Sequence, residues 1–239
     1  MDNKSLIKSI EKHNTPTITN VVATYPGDNE LCLGLYNPWE SNWYTDETVK
    51  CVFPELGPRA GYAVTCVYGM PDPSFTRLSL VNVLKAIEES PKPVILVIKQ
   101  DLPERIRKKN GLAGGKMTTA FKTLGCVGVI SDGPSRDLDE IREMDFQYML
   151  TGTSAGHGEF AVYAVNVPVT IGSMDVTPGE IIHMDEHGAV KFPADKLSQV
   201  ADLSEKLAVE ENHVETAIAK CKTAEQIARV MAHLDPGDY

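Results

Sequence analysis

The sequence lacks the features that mark several large classes of proteins. It has no excess of positive charge, since 23 Lys and Arg against 33 Asp and Glu give a net charge of −10 and a pI near 5.1. Proteins that bind nucleic-acid phosphates normally carry a basic face, so we expect no nucleic-acid partner. No run approaches the roughly 18 apolar residues of a membrane-spanning helix, so we also expect no membrane partner.

Cysteines are few and irregularly spaced. Five are present, and no two have the C-x-x-C spacing of metal or redox sites. Cys66 and Cys126 lie inside apolar runs, which favours small core residues over ligands. The stretch from Met1 to Ser5 carries no apolar segment like that of a signal peptide. With the odd number of cysteines, this pattern predicts a cytoplasmic, reducing location.

What is present is the composition of an ordinary globular protein. Hydrophobic residues make up 42% and charged residues 23% of the 239 positions, enough to build a sizeable core. We find no internal repeat, low-complexity tract or linker. The sequence therefore predicts a single domain over residues 1–239, which ends in a helical tail.

The first 48 residues predict two short helices followed by irregular structure. Apolar spacing predicts an amphipathic helix over Ser5–Asn14. We expect Thr15-Pro16-Thr17 to break it, with a second short helix from near Thr19. Residues Tyr25–Thr48 are rich in Pro, Gly, Asn and Trp and predict irregular structure.

Strands and helices then alternate along the chain. The predicted order is strand Pro58–Val67, helix Ser79–Glu89, strand Pro93–Lys99, helix Gly114–Leu124, strand Val127–Ile130, short helix Leu138–Arg142, short strands within Gln147–Pro193, and two helices within Ala194–Leu234. Strand–helix–strand alternation predicts parallel pairing with right-handed crossovers. The continuous apolar run of Pro93–Lys99 is typical of a strand buried on both faces. The predicted fold class is therefore α/β, a layered sheet core with flanking helices.

The most informative stretch follows the strand Val127–Ile130. That strand stops at the turn sequence Asp132-Gly133-Pro134, and Arg136 and Asp137 come directly after it. A guanidinium offers a planar fork to a carboxylate, and a carboxylate offers hard oxygens to Mg²⁺. The alternative is a surface ion pair at the start of a helix. Asp132 would either orient Arg136 or hold the turn, and we favour the turn.

A glycine-rich segment, Gly111–Lys116, resembles a phosphate-binding P-loop only superficially. Its glycine spacing does not match, and Lys116 is followed by Met117 instead of Ser or Thr. Lys116 is either a cation beside an anion-binding loop or a solvated side chain. His157, in a polar loop, would carry protons, line a pocket or do neither. Packing in a core or in an interface would explain the tryptophans of the irregular segment.

Taken together, these motifs resemble the RraA-like family. They are Ala63-Val64-Thr65, the strand and turn from Gly128 to Arg136-Asp137, Asn166-Val167-Pro168-Val169, Pro178-Gly179-Glu180, and Asp185 with Gly188. The family includes metal-dependent 4-hydroxy-4-methyl-2-oxoglutarate aldolases, oxaloacetate decarboxylases and the protein regulator of ribonuclease E. The resemblance covers about residues 15–195 and leaves 196–239 as a helical C-terminal extension.

The resemblance implies an RraA-like α/β fold assembled as a homotrimer or a dimer of trimers. In the aldolase branch, the residue matching Asp137 coordinates Mg²⁺ or Mn²⁺, and the residue matching Arg136 contacts the pyruvyl group of a 2-oxo acid. Backbone amides matching Gly114, Gly115, Lys116 and Met117 hold the substrate carboxylate. A glycine-rich loop that opens a helix suits this role, because it presents free N–H groups and a positive dipole end.

One departure from the aldolase pattern stands out. The acidic residue that helps order metal-bound water in the aldolases falls on Gly115 here. Because the Arg136-Asp137 pair is retained, the resemblance implies a metal-dependent carbon–carbon lyase that acts on a 2-oxo acid, with Arg136 and Asp137 catalytic and pyruvate as product. Gly115 favours the alternative, a non-catalytic regulator that binds a protein partner.

Overall fold

A computed structural model describes residues 2–24, 30–40, 42–74 and 77–234 of the chain. Its helices in these ranges are α1 (Asn3–Ile10), α2 (Thr15–Val22), α3 (Leu80–Glu89), α4 (Glu104–Arg107), α5 (Gly115–Thr123), α6 (Leu138–Glu143), α7 (Leu197–Ile218) and α8 (Ala224–Met231). Its strands are β1 (Lys50–Cys51), β2 (Arg59–Gly69), β3 (Val94–Asp101), β4 (Cys126–Ser131), β5 (Gln147–Leu150), β6 (Ala161–Val165), β7 (Val169–Ile171), β8 (Met174–Val176), β9 (Ile181–Asp185) and β10 (Gly188–Phe192). The α/β class is confirmed.

The main sheet has a parallel centre and antiparallel borders. Its strand order is β1-β5-β4-β3-β2-β9-β10, and β6 pairs with the second half of β2. The pairs β2–β3, β3–β4 and β4–β5 are parallel, as the strand–helix–strand alternation predicts. The carboxyl ends of β3 and β4 therefore lie side by side at one edge, where ligands of such sheets commonly bind.

Strand β3 shows how the sheet is buried on both faces. Val94, Leu96 and Ile98 pack into the layer formed with α3, α5 and α6. Ile95 and Val97 point the other way, into a cluster with the β7–β8 hairpin. All five side chains are fully buried, which confirms the expectation from the continuous apolar run.

A second layer joins the two ends of the chain. Ile7 of α1, Val21 of α2 and Val200 of α7 are fully buried in one cluster with β9, β10 and Trp43. The predicted helical tail is confirmed as α7 and α8, of which α7 packs along α1 and α2.

The prediction for the first two helices is wrong in its boundaries. Helix α1 ends at Ile10 instead of Asn14, and α2 begins at Thr15 instead of near Thr19. Asn14 caps α2 by accepting a hydrogen bond from the Thr17 amide at 2.9 Å. Pro16 lies in the first helical turn, where its missing N–H costs nothing, so it starts a helix here instead of breaking one.

The segment predicted to be irregular contains no helix or strand in its described parts, 30–40 and 42–48; residues 25–29 and 41 lie outside the described ranges. Its two tryptophans differ in burial. Trp43 is buried and stacks on Tyr36, with the ring centroids 5.2 Å apart, whereas Trp39 is 91% exposed. No helix in the described ranges combines the length and hydropathy that a membrane crossing requires.

Candidate functional site

The turn after β4 is held in place by Asp132. Its Oδ1 accepts a hydrogen bond from the Gln100 amide at 2.8 Å, at the end of neighbouring β3. Its Oδ2 lies 2.8 Å from Lys99 Nζ and 3.0 Å from Arg107 Nη1. Asp132 is 9% exposed, so these contacts compensate a nearly buried charge. It therefore has the structural role that we favoured from the sequence.

Arg136 and Asp137 stand where the turn meets α6. Asp137 is the N-cap of α6 but has a left-handed backbone, with φ of 59° and ψ of 37°, and its side chain makes no bond to its own helix. Instead, Asp137 Oδ2 accepts a hydrogen bond from the Gly115 amide at 3.0 Å. Arg136 Nε lies 3.7 Å from the same oxygen. The pair predicted from sequence thus faces the amino end of α5.

Two adjacent glycines make room for this arrangement. A Cβ built on Gly114 would overlap Asp137 Oδ2 and lie 3.3 Å from Cγ and Nε of Arg136. A Cβ built on Gly115 would overlap Glu140 Oε2 and lie 3.8 Å from Asp137 Cβ. Neither glycine has a positive φ, so what each contributes is the space that the ends of these two side chains occupy. The amino end of α5 is therefore in close contact with two carboxylates.

Buried hydroxyl groups fix the loop beneath the site. The Ala113 carbonyl accepts hydrogen bonds from Ser135 Oγ and from the Tyr148 hydroxyl, both at 2.7 Å. Tyr148 Oη also lies 2.7 Å from Thr118 Oγ1, and Thr118 donates to the Gly114 carbonyl at 3.0 Å. Burial raises the pKa of Tyr148, which keeps its phenol protonated and able to donate. With their carbonyls held from below, the residues that precede α5 have a fixed geometry.

The predicted site residues line one cleft of about 310 Å³. Gly114, Lys116, Met117, Arg136 and Asp137 all contribute to its wall. Gly115 takes part through its backbone amide, which donates its hydrogen bond to Asp137 Oδ2. The amides of a first helical turn have no intrahelical acceptor, so those of Lys116 and Met117 remain available to a ligand.

Four further residues complete the wall: Leu112, Glu140, His157 and Phe160. The His157 ring lies 5.7 Å from that of Phe160, and Nδ1 is 2.8 Å from the Gly158 carbonyl oxygen. Because a carbonyl only accepts, Nδ1 is the donor in this contact. Of the alternatives weighed from sequence, the structure supports a position at the cleft for His157.

The donor set of the cleft suits a hard divalent cation. In the described residues, no three His, Cys, Asp or Glu side chains form a ready-made metal cage. Mg²⁺, however, is commonly bound by only one or two carboxylates, with waters at the other positions. Asp137 offers carboxylate oxygens at a cleft that is open to water, with its side chain 35% exposed. The residues present therefore fit such an ion, and Asp137 is the side chain that would hold it.

Sequence reasoning missed Glu140, Ser135 and Tyr148. Glu140 had a local signal, since it lies at the third position of the helix that Asp137 caps. Tyr148 had none, because its contact with Ala113 joins positions 35 residues apart.

Comparisons with known proteins agree with this architecture. The sequence model of the RraA-like family, which is described as Aldolase/RraA, matches residues 40–191. Protein DlpA of Legionella pneumophila is 28% identical over 152 residues, which is 61% of this chain and 23% of that protein. A protein of Halalkalibacterium halodurans named "Putative 4-hydroxy-4-methyl-2-oxoglutarate aldolase" is 30% identical over 140 residues, 57% of this chain and 64% of its own. The chain thus spans less than two thirds of the length of both relatives.

Among solved structures, RraAS2 of Streptomyces coelicolor is described as an unusual member of the RNase ES inhibitor RraA protein family. It superposes with a TM-score of 0.66 at 22% identity, covering 88% of this chain and 96% of that one. At this identity the likeness concerns the fold alone. The family match covers more than half of the chain and confirms the resemblance seen in the sequence. The chain therefore belongs to the RraA-like family.

Proposed function

We propose that the chain is a divalent-metal-dependent carbon–carbon lyase that acts on a 2-oxo acid and releases pyruvate. Its substrates would be a 4-hydroxy-2-oxo acid, cleaved by retro-aldol chemistry, or oxaloacetate, which loses CO₂. The observation that carries the proposal is the meeting of Arg136, Asp137 and the amino end of α5 in one cleft. The aldolase name of the Halalkalibacterium relative supports the same class of reaction.

The positive groups of the cleft would bind the negative groups of the substrate. Arg136 offers a planar pair of donors to a carboxylate or to the neighbouring 2-oxo oxygen. The amides of Lys116 and Met117, at the positive end of the α5 dipole, would hold the carboxylate from the other side. The Lys116 ammonium adds charge at the same wall. A small dianion such as oxaloacetate matches this distribution.

Asp137 would hold Mg²⁺ or Mn²⁺. When bound, the ion would supply the Lewis acidity that polarises a 2-oxo carbonyl. Arg136 would stabilise the negative charge that develops on the carbonyl oxygen as the carbon–carbon bond breaks. Retro-aldol cleavage releases the proton of the 4-hydroxyl group, and the methyl carbon of pyruvate must gain one; when oxaloacetate loses CO₂, water supplies that proton. His157, in the wall of the cleft, is a candidate to accept the first proton and deliver the second.

The proposal is tested by measuring pyruvate release from oxaloacetate with the purified chain and Mg²⁺. We expect Arg136→Ala to lower kcat by about 10²–10³-fold, the usual cost of removing a donor to developing charge. Arg136→Lys should recover only part of the loss, because an ammonium lacks the planar fork. The control is Arg105→Ala, which removes the same charge from the exposed surface of α4. No turnover, or equal loss in Arg105→Ala and Arg136→Ala, would contradict it.

A second candidate is a non-catalytic regulator that binds a protein partner. RraAS2 is described as belonging to an RNase ES inhibitor family, and Trp39 here is an exposed aromatic side chain of the kind that protein interfaces favour. Inhibition of an RNase E-type ribonuclease by the purified chain, without pyruvate release from either substrate class, would favour this candidate.

A further inference from the structure

The first turn of α6 presents two carboxylates in an unusual way. An acid at the N-cap and a Glu at the third helical position normally cap their own helix. Here Asp137 makes no such bond; it has a left-handed backbone, and its carboxylate engages the Gly115 amide of α5. Glu140, at the third position, lies with Oε2 at the site where Gly115 would carry a Cβ. Both side chains therefore face a neighbouring helix at the same residue.

The two carboxylates lack a full set of cationic partners. Arg136 Nε is 3.7 Å from Asp137 Oδ2, and Glu140 forms no ion pair with any residue that the structure describes. Like charges that line one cleft repel each other. Both belong to the wall of the same cleft. A divalent cation with a preference for oxygen ligands would relieve this repulsion.

We propose that Glu140 is the second carboxylate of the metal site, and that it holds Mg²⁺ or Mn²⁺ together with Asp137, directly or through a bound water. The inference rests on the proposed metal at Asp137. The proposal also explains why position 115 is a glycine. The sequence lacks an acid at position 115, but the structure puts a carboxylate from α6 where that side chain would begin. A glycine at 115 is then what allows Glu140 to reach the site.

Binding of Mn²⁺ to the full chain tests this without reference to turnover, because free and bound Mn²⁺ differ in their electron paramagnetic resonance signal. We expect Glu140→Gln to weaken Mn²⁺ binding by about 10–100-fold, the usual effect of losing a group that supports metal ligands. The control is Asp139→Asn, which removes the same charge from the same helical turn, outside the cleft. We expect it to change the dissociation constant by less than about threefold, since it acts only through screened charge.

A swap of the carboxylate provides a second test. Glu140→Ala should weaken Mn²⁺ binding, and Gly115→Glu added to it should restore binding to within about fivefold of wild type. Gly115→Glu alone should gain little, because its side chain competes with Glu140 for one space. Such non-additivity is the signature of two residues that share a site.

The outcomes separate this inference from the proposed function. If Asp137→Asn abolishes Mn²⁺ binding while Glu140→Gln and Asp139→Asn behave alike, the role of Glu140 is refuted and the metal at Asp137 stands. If Glu140→Gln weakens binding as expected but the wild-type chain releases no pyruvate, Glu140 is a metal ligand and the lyase proposal fails. A wild-type chain that binds no Mn²⁺ refutes both.

Discussion

The carboxylate of Asp137 accepts a hydrogen bond from the amide of Gly115 at 3.0 Å, between positions 22 residues apart. This bond ties the turn after β4 to the amino end of α5. A carboxylate at that position also interacts favourably with the helix dipole. The contact therefore sets the direction in which Arg136 and Asp137 face the cleft.

Gly114→Ala should disable the site without unfolding the protein. Its Cβ would overlap the Asp137 carboxylate and crowd Arg136, whereas its own backbone angles, φ −80° and ψ −171°, suit alanine. We predict a fall in turnover of at least about tenfold, since small misplacements of catalytic groups are costly. Gly156→Ala is the matched control, because a Cβ there meets nothing within 4 Å. Equal activity in the two variants would contradict the prediction.

Tyr148→Phe should loosen the loop before α5. The change leaves the buried Ala113 carbonyl with Ser135 as its remaining side-chain donor and removes the contact with Thr118. We predict a loss of about 1–3 kcal/mol in the free energy of unfolding, measured with urea, and weaker binding of pyruvate. Phe146→Leu, a change in the same layer without a hydroxyl, is the comparison. A variant that loses stability but binds pyruvate normally would show that Tyr148 does not position the site.

Acid should destabilise the chain through His183. Burial lowers the pKa of His183 to about 4, and the ring lies between Thr15 Oγ1, at 3.0 Å from Nδ1, and the Ile10 carbonyl, at 3.2 Å from Nε2. The unfolded chain takes up this proton below pH 6.5, whereas the folded chain does not. The free energy of unfolding therefore falls as the pH drops from about 6.5 to about 4.

Urea unfolding at several pH values checks this. His183→Gln should make the free energy of unfolding depend less steeply on pH over that range. The slope should fall by up to about 1.4 kcal/mol per pH unit, which corresponds to one proton. Exposed His157, replaced in the same way, serves as the control. An unchanged slope in His183→Gln would refute the assignment.

We predict that the chain assembles as a homotrimer or a multiple of three. The prediction comes from the family resemblance, and the 91% exposure of Trp39 is consistent with a surface that another copy covers. Light scattering on a sizing column should give a multiple of three chains of 26.1 kDa, and Trp39→Ser should shift the distribution toward smaller species. A wild-type monomer at micromolar concentration would contradict it.

What the sequence could predict was local. The continuous apolar run of β3 indicated burial on both faces, and the turn after β4 indicated where Arg136 and Asp137 would stand, because strand ends and turns depend on adjacent residues. The start of α2 also had a local signal in Asn14 and Pro16, but we interpreted the proline as a break.

What the sequence could not predict depends on distant contacts. Asp185 reinforces the start of α2 by accepting a hydrogen bond from the Thr15 amide at 2.7 Å, 170 residues away in the chain. The position of Glu140 against Gly115 likewise depends on how α6 packs beside α5. No periodicity within either segment contains that information, so the contact between Glu140 and position 115 is visible only in the folded chain.

The most direct test of the account is the Mg²⁺ dependence of pyruvate release from oxaloacetate by wild type, Asp137→Asn and Asp139→Asn. Asparagine tolerates the left-handed backbone of position 137, so the fold should survive and only the charge is lost. We predict turnover that rises with Mg²⁺, is abolished by EDTA, falls by at least about 10²-fold in Asp137→Asn and persists in Asp139→Asn. Turnover that is insensitive to EDTA, or equal in wild type and Asp137→Asn, would contradict the central claim.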